Sequence, residues 1–82
     1  MPEEIGDLTA LTDLYLGNNQ LTCLPPEIGN LSNITELDLS YNQLTALPRE
    51  ISNLKSLVRL DLRGNSIDVA SLNNLKNGMI LI

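Results

Sequence analysis

The chain has 82 residues, room for one domain, and 18 of them are leucine against two tyrosines and no phenylalanine or tryptophan, so its core must be aliphatic. It has no histidine, which removes the usual general base, the Ser-His-Asp triad and the commonest metal ligand. A single cysteine excludes an internal disulfide and a thiolate cluster, and the net charge of −5 argues against a nonspecific nucleic-acid surface.

In chain order, Pro2-Glu3-Glu4-Ile5-Gly6-Asp7-Leu8 comes first and has no strand pattern of its own. Leu11-x-x-Leu14-x-Leu16-x-x-Asn19-x-Leu21 recurs as Ile34-x-x-Leu37-x-Leu39-x-x-Asn42-x-Leu44 and again as Leu57-x-x-Leu60-x-Leu62-x-x-Asn65-x-Ile67. Both intervals are 23 residues, and a fixed period of that size means stacked units with a continuous core. Leu14-Tyr15-Leu16, Leu37-Asp38-Leu39 and Leu60-Asp61-Leu62 alternate apolar and polar, which predicts short strands with one buried face. Each strand must pair in parallel with its neighbour, because a full repeat connects them. Asn19, Asn42 and Asn65 follow the strands at one register, where a side-chain amide can satisfy buried backbone groups as a ladder.

Between strands lie Leu24-Pro25-Pro26-Glu27-Ile28-Gly29-Asn30-Leu31 and Leu47-Pro48-Arg49-Glu50-Ile51-Ser52-Asn53-Leu54. Proline suits the start of a short helix, and glutamate in the first turn faces its dipole. Leu24, Ile28 and Leu31 form one inward stripe, so one or two turns of α- or 3₁₀-helix are expected. Pro2, Ile5 and Leu8 each precede an equivalent by 23 residues, so the opening segment is a return segment without its strand. In the third return segment Ser71 replaces the proline, and Asn74 and Asn77 stand where Ile and Leu belong. Leu72 and Leu75 are expected to supply the inward face in a shifted register, with Gly78 ending that helix. The expected division is one domain over 1–82: a partial repeat at 1–10, repeats at 11–33, 34–56 and 57–79 (the last degenerate), and a terminal strand at 80–82. Alternatively, the stack continues in a parent protein.

The combined pattern LxxLxLxxNxLxxLPxEIxNL resembles the leucine-rich repeat family over nearly the whole chain. The Leu-Pro-x-Glu-Ile-x-x-Leu return segment is most similar to the intracellular Ras-associated and Scribble-like subclass. Plant receptor repeats share Glu27-Ile28-Gly29-Asn30-Leu31 but carry Gly-x-Ile-Pro where this chain has Cys23-Leu24-Pro25 and Ala46-Leu47-Pro48. Bacterial effectors with Leu-Pro repeats remain a further possibility. The resemblance implies an α/β solenoid: an arc with a parallel concave sheet and short convex helices or 3₁₀ turns. It also implies a protein-binding module of scaffold or adaptor type, with a small GTPase or its regulator as partner.

The wet columns of the concave face are Asp13/Glu36/Arg59, Tyr15/Asp38/Asp61 and Gly17/Ser40/Arg63, with Tyr41 just beyond, beside Asn18 and Gly64. Tyrosine and arginine are enriched at binding hot spots, so Tyr15, Tyr41, Arg59 and Arg63 lead the expected contact set, flanked by Asp13, Glu36, Asp38 and Asp61. Strands about 4.8 Å apart set Asp38 beside Asp61, close enough to share a proton or cation. The bland alternative, a solvated salt-bridge network with Arg59 and Arg63, is the stronger reading. Cys23, with Ala46 and Val69 as repeat equivalents, reads as a small filler.

Residues 1–48 hold seven acids and no base, whereas residues 49–82 hold five bases and three acids. The stack therefore has an acidic and a mildly basic end, favouring a partner with a basic patch. No nucleic acid, membrane or cofactor is expected, and end-to-end self-association through open edges is the alternative to partner binding. The lack of cysteine pairs, of a signal peptide and of a long apolar run favours a cytoplasmic setting. Asn30-Leu31-Ser32 and Asn33-Ile34-Thr35, which fit the glycosylation pattern, point the other way.

Overall fold

The computed structural model describes residues 1–72, 75 and 80–82. Strands β1 (Asp13–Tyr15), β2 (Glu36–Asp38), β3 (Arg59–Asp61) and β4 (Ile80–Leu81) form one parallel sheet in chain order. The register follows the repeat: Leu14 lies beside Leu37 and Leu37 beside Leu60. Each strand begins one residue earlier than its leucine alternation suggests and ends before the second leucine. The ladder nevertheless continues past it, with Leu16 N–H donating to Asp38 O at 2.8 Å and Leu39 N–H to Asp61 O at 2.8 Å.

The return segments are 3₁₀ helices: η1 (Glu3–Asp7), η2 (Pro26–Asn30), η3 (Arg49–Asn53) and η4 (Val69–Leu72). Pro2, Pro25 and Pro48 hold the extended N-cap position, and Leu8, Leu31 and Leu54 N–H close each turn on Ile5, Ile28 and Ile51 carbonyls. The tight helix keeps neighbouring coils close. A Cβ on Gly29 would stand 2.7 Å from Glu50 O, so only glycine allows η2 its approach to η3.

Leu24, Ile28, Leu31, Ile34, Leu37, Leu39 and Leu44 bury one complete coil, and Leu47, Ile51, Leu54, Leu57, Leu60 and Leu62 the next. Leu75 is also buried and Leu72 packs against this core, the shifted register expected of the last return segment. Asn74, Asn77, the helix end at Gly78 and any strand residue at Met79 lie outside the described residues. The architecture is the α/β solenoid arc that the repeat predicts.

Leu8, the equivalent of fully buried Leu31, is 51% exposed. One expectation needs correction. Cys23 is exposed and fills no gap; it lies just before the inward stripe, and Ala46 is exposed in the same place. Among the described residues, no helix is long and apolar enough to cross a membrane.

Candidate functional site

Alternation along each strand turns Leu14, Leu37 and Leu60 inward and leaves their neighbours on the outer sheet face. The register puts Asp13, Glu36 and Arg59 in one row and Tyr15, Asp38 and Asp61 in the next, as the repeat predicts. Tyr15 is 58% exposed, yet its hydroxyl donates to Glu36 Oε2 at 2.6 Å and, more weakly, to Asp13 Oδ2 at 3.5 Å. The Glu36 hydrogen bond, with partial burial and both carboxylate charges, pushes the phenol up to about 12. Thr35 Oγ1 shares its single proton between Thr12 O at 3.1 Å and Asp13 Oδ1 at 3.3 Å.

The other carboxylates are committed along their own strands. Asp38 Oδ1 accepts from Ser40 N–H at 2.9 Å and from Ser40 Oγ at 2.7 Å. Asp61 accepts from Arg63 Nη2 at 2.7 Å, Nε at 3.0 Å and the backbone N–H at 3.2 Å, with Arg59 Nη2 at 3.6 Å. The Arg63 hydrogen bond holds the Asp61 carboxyl below the usual aspartate range against the opposing pull of burial, and the same contact raises Arg63. Asp61 and Asp38 are neighbours in register, and each takes its hydrogen bonds from donors on its own side of the face, Asp38 from Ser40 and Asp61 from Arg63.

The salt-bridge reading also changes. Asp61 is 1% exposed, so the pair is a buried carboxylate under half-exposed guanidinium groups, not a solvated network. A charge so placed needs its partner, because desolvation without pairing is costly. Arg59 lies beside Glu36 in register, but Glu36 is taken by Tyr15. Sequence reasoning did not single out Ser40 as the donor that fixes Asp38. The signal was present in Asp38-x-Ser40, two polar residues two apart on one strand face.

Tyr41, 57% exposed, follows β2 with φ of 56°. Its repeat equivalents Asn18 and Gly64 have φ of 61° and 77°. All three positions turn through the left-handed region, and Tyr41 N–H donates to Arg63 O at 2.7 Å across the turn. Thus all eight predicted contact residues lie on or beside one sheet face. Among the described residues, no three His, Cys, Asp or Glu side chains are grouped to hold a metal.

A parallel solenoid with an asparagine ladder and an open polar sheet face defines a repeat module for protein interaction. Residues 9–67 match the leucine rich repeat family, and the chain belongs to it. Leucine-rich repeats are in general protein–protein interaction modules without catalytic activity of their own. Among solved structures, the chain is similar to a leucine-rich repeat protein of Leptospira interrogans at 42% identity and TM-score 0.93, covering all of this chain and 22% of that one. It is similar to an internalin of Listeria monocytogenes at 32% identity and TM-score 0.73, covering 93% of this chain and 24% of that one. It is also similar to the plant peptide hormone receptor RGFR1 in complex with RGF2, at 34% identity and TM-score 0.73, covering 100% and 18%. The chain thus spans about a fifth to a quarter of each. No curated protein matches it.

Proposed function

We propose that this chain is a non-catalytic protein-binding module of scaffold or adaptor type, which holds its partner on the concave sheet face in a cytoplasmic setting. The observation that carries this reading is Tyr15, an exposed aromatic pinned across two strands by Glu36 and Asp13. A contact residue fixed in advance loses little freedom on binding. Asp13, Glu36 and Asp38 make this half of the face acidic, which suits a basic patch on the partner. The Leu-Pro-x-Glu-Ile return segments support a small GTPase or its regulator as that partner. A pull-down from source-cell lysate, comparing the natural chain with the folded double variant Tyr15→Ala/Arg59→Glu, tests the face. A protein held by the first and lost by the second identifies the ligand; equal retention moves the site elsewhere. If the purified chain binds no small GTPase in either nucleotide state, that choice of partner is removed.

A second reading is a structural piece of a longer leucine-rich repeat protein, or a chain that associates end to end. It is favoured by the face in front of β1, where Leu11, Leu14, Leu16 and Leu21 are only partly buried while Ile34, Leu37, Leu39 and Leu44 are fully so. A hollow of about 590 Å³ lies there, lined by Met1, Leu16, Asn18, Asn19, Gln20 and Leu21. Light scattering that finds a strict monomer at high concentration removes self-association.

A further inference from the structure

In a parallel ladder each strand turns different backbone groups to its two neighbours. Leu16 N–H, just past β1, donates to Asp38 O on β2 at 2.8 Å. Leu39 N–H donates in the same way to Asp61 O on β3 at 2.8 Å, and Leu62 N–H to Leu81 O on β4 at 2.7 Å. Each coil thus turns an N–H to the back of the stack and a carbonyl to the front. By the same register β1 turns Tyr15 O to the front, and Ile82, the residue after Leu81, turns its N–H to the back. Neither group has a hydrogen-bond partner among the described residues. They are the two halves of the bond that joins the internal pairs of coils. The asparagine ladder has the same open front. Asn42 Oδ1 accepts from Leu21 N–H and Asn65 Oδ1 from Leu44 N–H, each in the coil ahead, whereas the Asn19 amide reaches carbonyls of its own coil.

The elements at the two ends are complementary as well. η1 packs beside η2 as a return helix, yet among the described residues no strand lies ahead of β1 to share its coil. β4 is a strand with no return helix after it among the described residues. Besides the hollow of about 590 Å³ beside Leu16 and Leu21, a second of about 360 Å³ is lined by Asp7, Leu8, Thr9, Ala10 and Leu11. At the other end Leu81 and Ile82 are 37% and 68% exposed. Charge selects how two such ends meet. Front against front opposes two stretches that each hold seven acids and no base. Front against back sets that stretch against one holding five bases and three acids.

We propose that a second copy of this chain docks head to tail, its β4 adding as the parallel strand ahead of β1 and its Ile82 N–H donating to Tyr15 O. The incoming strand completes the coil for which η1 is the return helix. In the register of the internal strands, its Ile80 and Ile82 cover Leu14 and Leu16. The occupant continues the interface that already joins β1 to β2 and β2 to β3, and an open strand edge is a template for such pairing. The inference rests on the end-to-end reading and deepens it, by naming which edges meet and in which direction. The contact is heterologous, so it does not close on itself and further copies add at both ends. The concave face stays open along the assembly.

Sedimentation velocity over a concentration series tests this, with two variants that each block one edge. Ile82→Pro removes the donor at the back; Ile82 is exposed and lies outside β4, so the variant has a fold to adopt. Thr12→Pro removes an N–H that faces the front, as the equivalent Thr35 N–H does in reaching Thr12 O. Thr12 precedes β1, a place where proline is tolerated. The natural chain is expected to grow past a dimer as concentration rises. Ile82→Pro is expected to need at least about tenfold more protein for the same average mass. Equal parts of the two variants are expected to form a heterodimer that grows no further, since each keeps the edge the other lacks. If circular dichroism shows Thr12→Pro unfolded, the Ile82→Pro comparison decides alone. Growth that stops at a dimer in the natural chain, or that Ile82→Pro leaves unchanged, overturns the head-to-tail contact and leaves association through other surfaces standing. A strict monomer at high concentration removes both.

Discussion

Tyr15 and Tyr41 are the two aromatic side chains of this molecule, and they sit on one face with opposite ties. Tyr15 donates its hydroxyl to Glu36; Tyr41 has no side-chain hydrogen bond among the described residues and takes a left-handed backbone turn. The Glu36 contact predicts that a spectrophotometric titration contains a phenol step near pH 12, which Tyr15→Phe removes and Glu36→Gln moves down towards the ordinary value of about 10. A step unmoved by Glu36→Gln would mean that the cross-strand bond is not formed in solution. Asp61 makes a second prediction. Its folded carboxyl titrates below the unfolded value of about 3.9, so its stabilisation is fully present above that pH and is lost as pH falls through the lower folded value. Asp61→Asn should therefore melt at a lower temperature near neutrality and converge with the natural chain in strong acid. Parallel melting curves over the whole acid range would show that Asp61 contributes nothing to the acid sensitivity. Side-chain identity at these sites was legible in the sequence. Which acid pairs with which donor was not, because Glu36 had both Arg59 and Tyr15 within reach.

At the scale of elements, strands of three residues and helices of a single turn or two cannot stand alone. The asparagines stitch them together across coils. Asn42 Nδ2 donates to Leu16 O and Leu39 O, both at 3.0 Å, and its Oδ1 accepts from Leu21 N–H at 3.1 Å. Asn65 repeats the pattern one coil on, with Leu39 O, Leu62 O and Leu44 N–H. Asn19, exposed at the front of the stack, reaches carbonyls of its own coil, Leu16 O at 2.8 Å and Gly17 O at 3.4 Å. Asn42→Ala strands three backbone groups in a buried place and is expected to cost about 2–4 kcal/mol, whereas Asn19→Ala leaves groups that water can reach and should cost about 1 kcal/mol or less. Denaturant unfolding of the two variants measures the difference, and equal losses would mean that the ladder's inter-coil bonds carry no weight. The existence and type of these elements were legible because their leucines repeat with strand spacing. The choice of 3₁₀ over α was not, because both place Leu24, Ile28 and Leu31 inward, and only the approach of Glu50 to Gly29 reveals how tight the packing is.

For the whole molecule, burial depends on a residue's place in the stack as much as on its type. Leu14 and Leu37 are equivalent in the repeat, but Leu37 is covered on both sides and Leu14 on one. Leu37→Ala is expected to cost about 3 kcal/mol and Leu14→Ala clearly less, since a partly exposed site loses less transfer energy and leaves a smaller cavity. Equilibrium unfolding of both variants checks this, and equal losses would indicate that the front of β1 is covered in solution, the outcome self-association would give. Contact between neighbouring coils only makes such a gradient natural in a stack.

The 23-residue period by itself determined the parallel order, the register, the inward leucines, the asparagine ladder and the face on which the charged columns meet. These come from periodicity, because a coil that repeats must place equivalent residues side by side. Tertiary structure alone decided that Asp61 is buried under Arg63, that Tyr15 bridges to Glu36, that Cys23 and Leu8 face solvent, and that Tyr41 lies strained across Gly64. Burial and pairing are properties of what the neighbouring coil contributes, and identical letters at the front and the middle of a stack meet different neighbours.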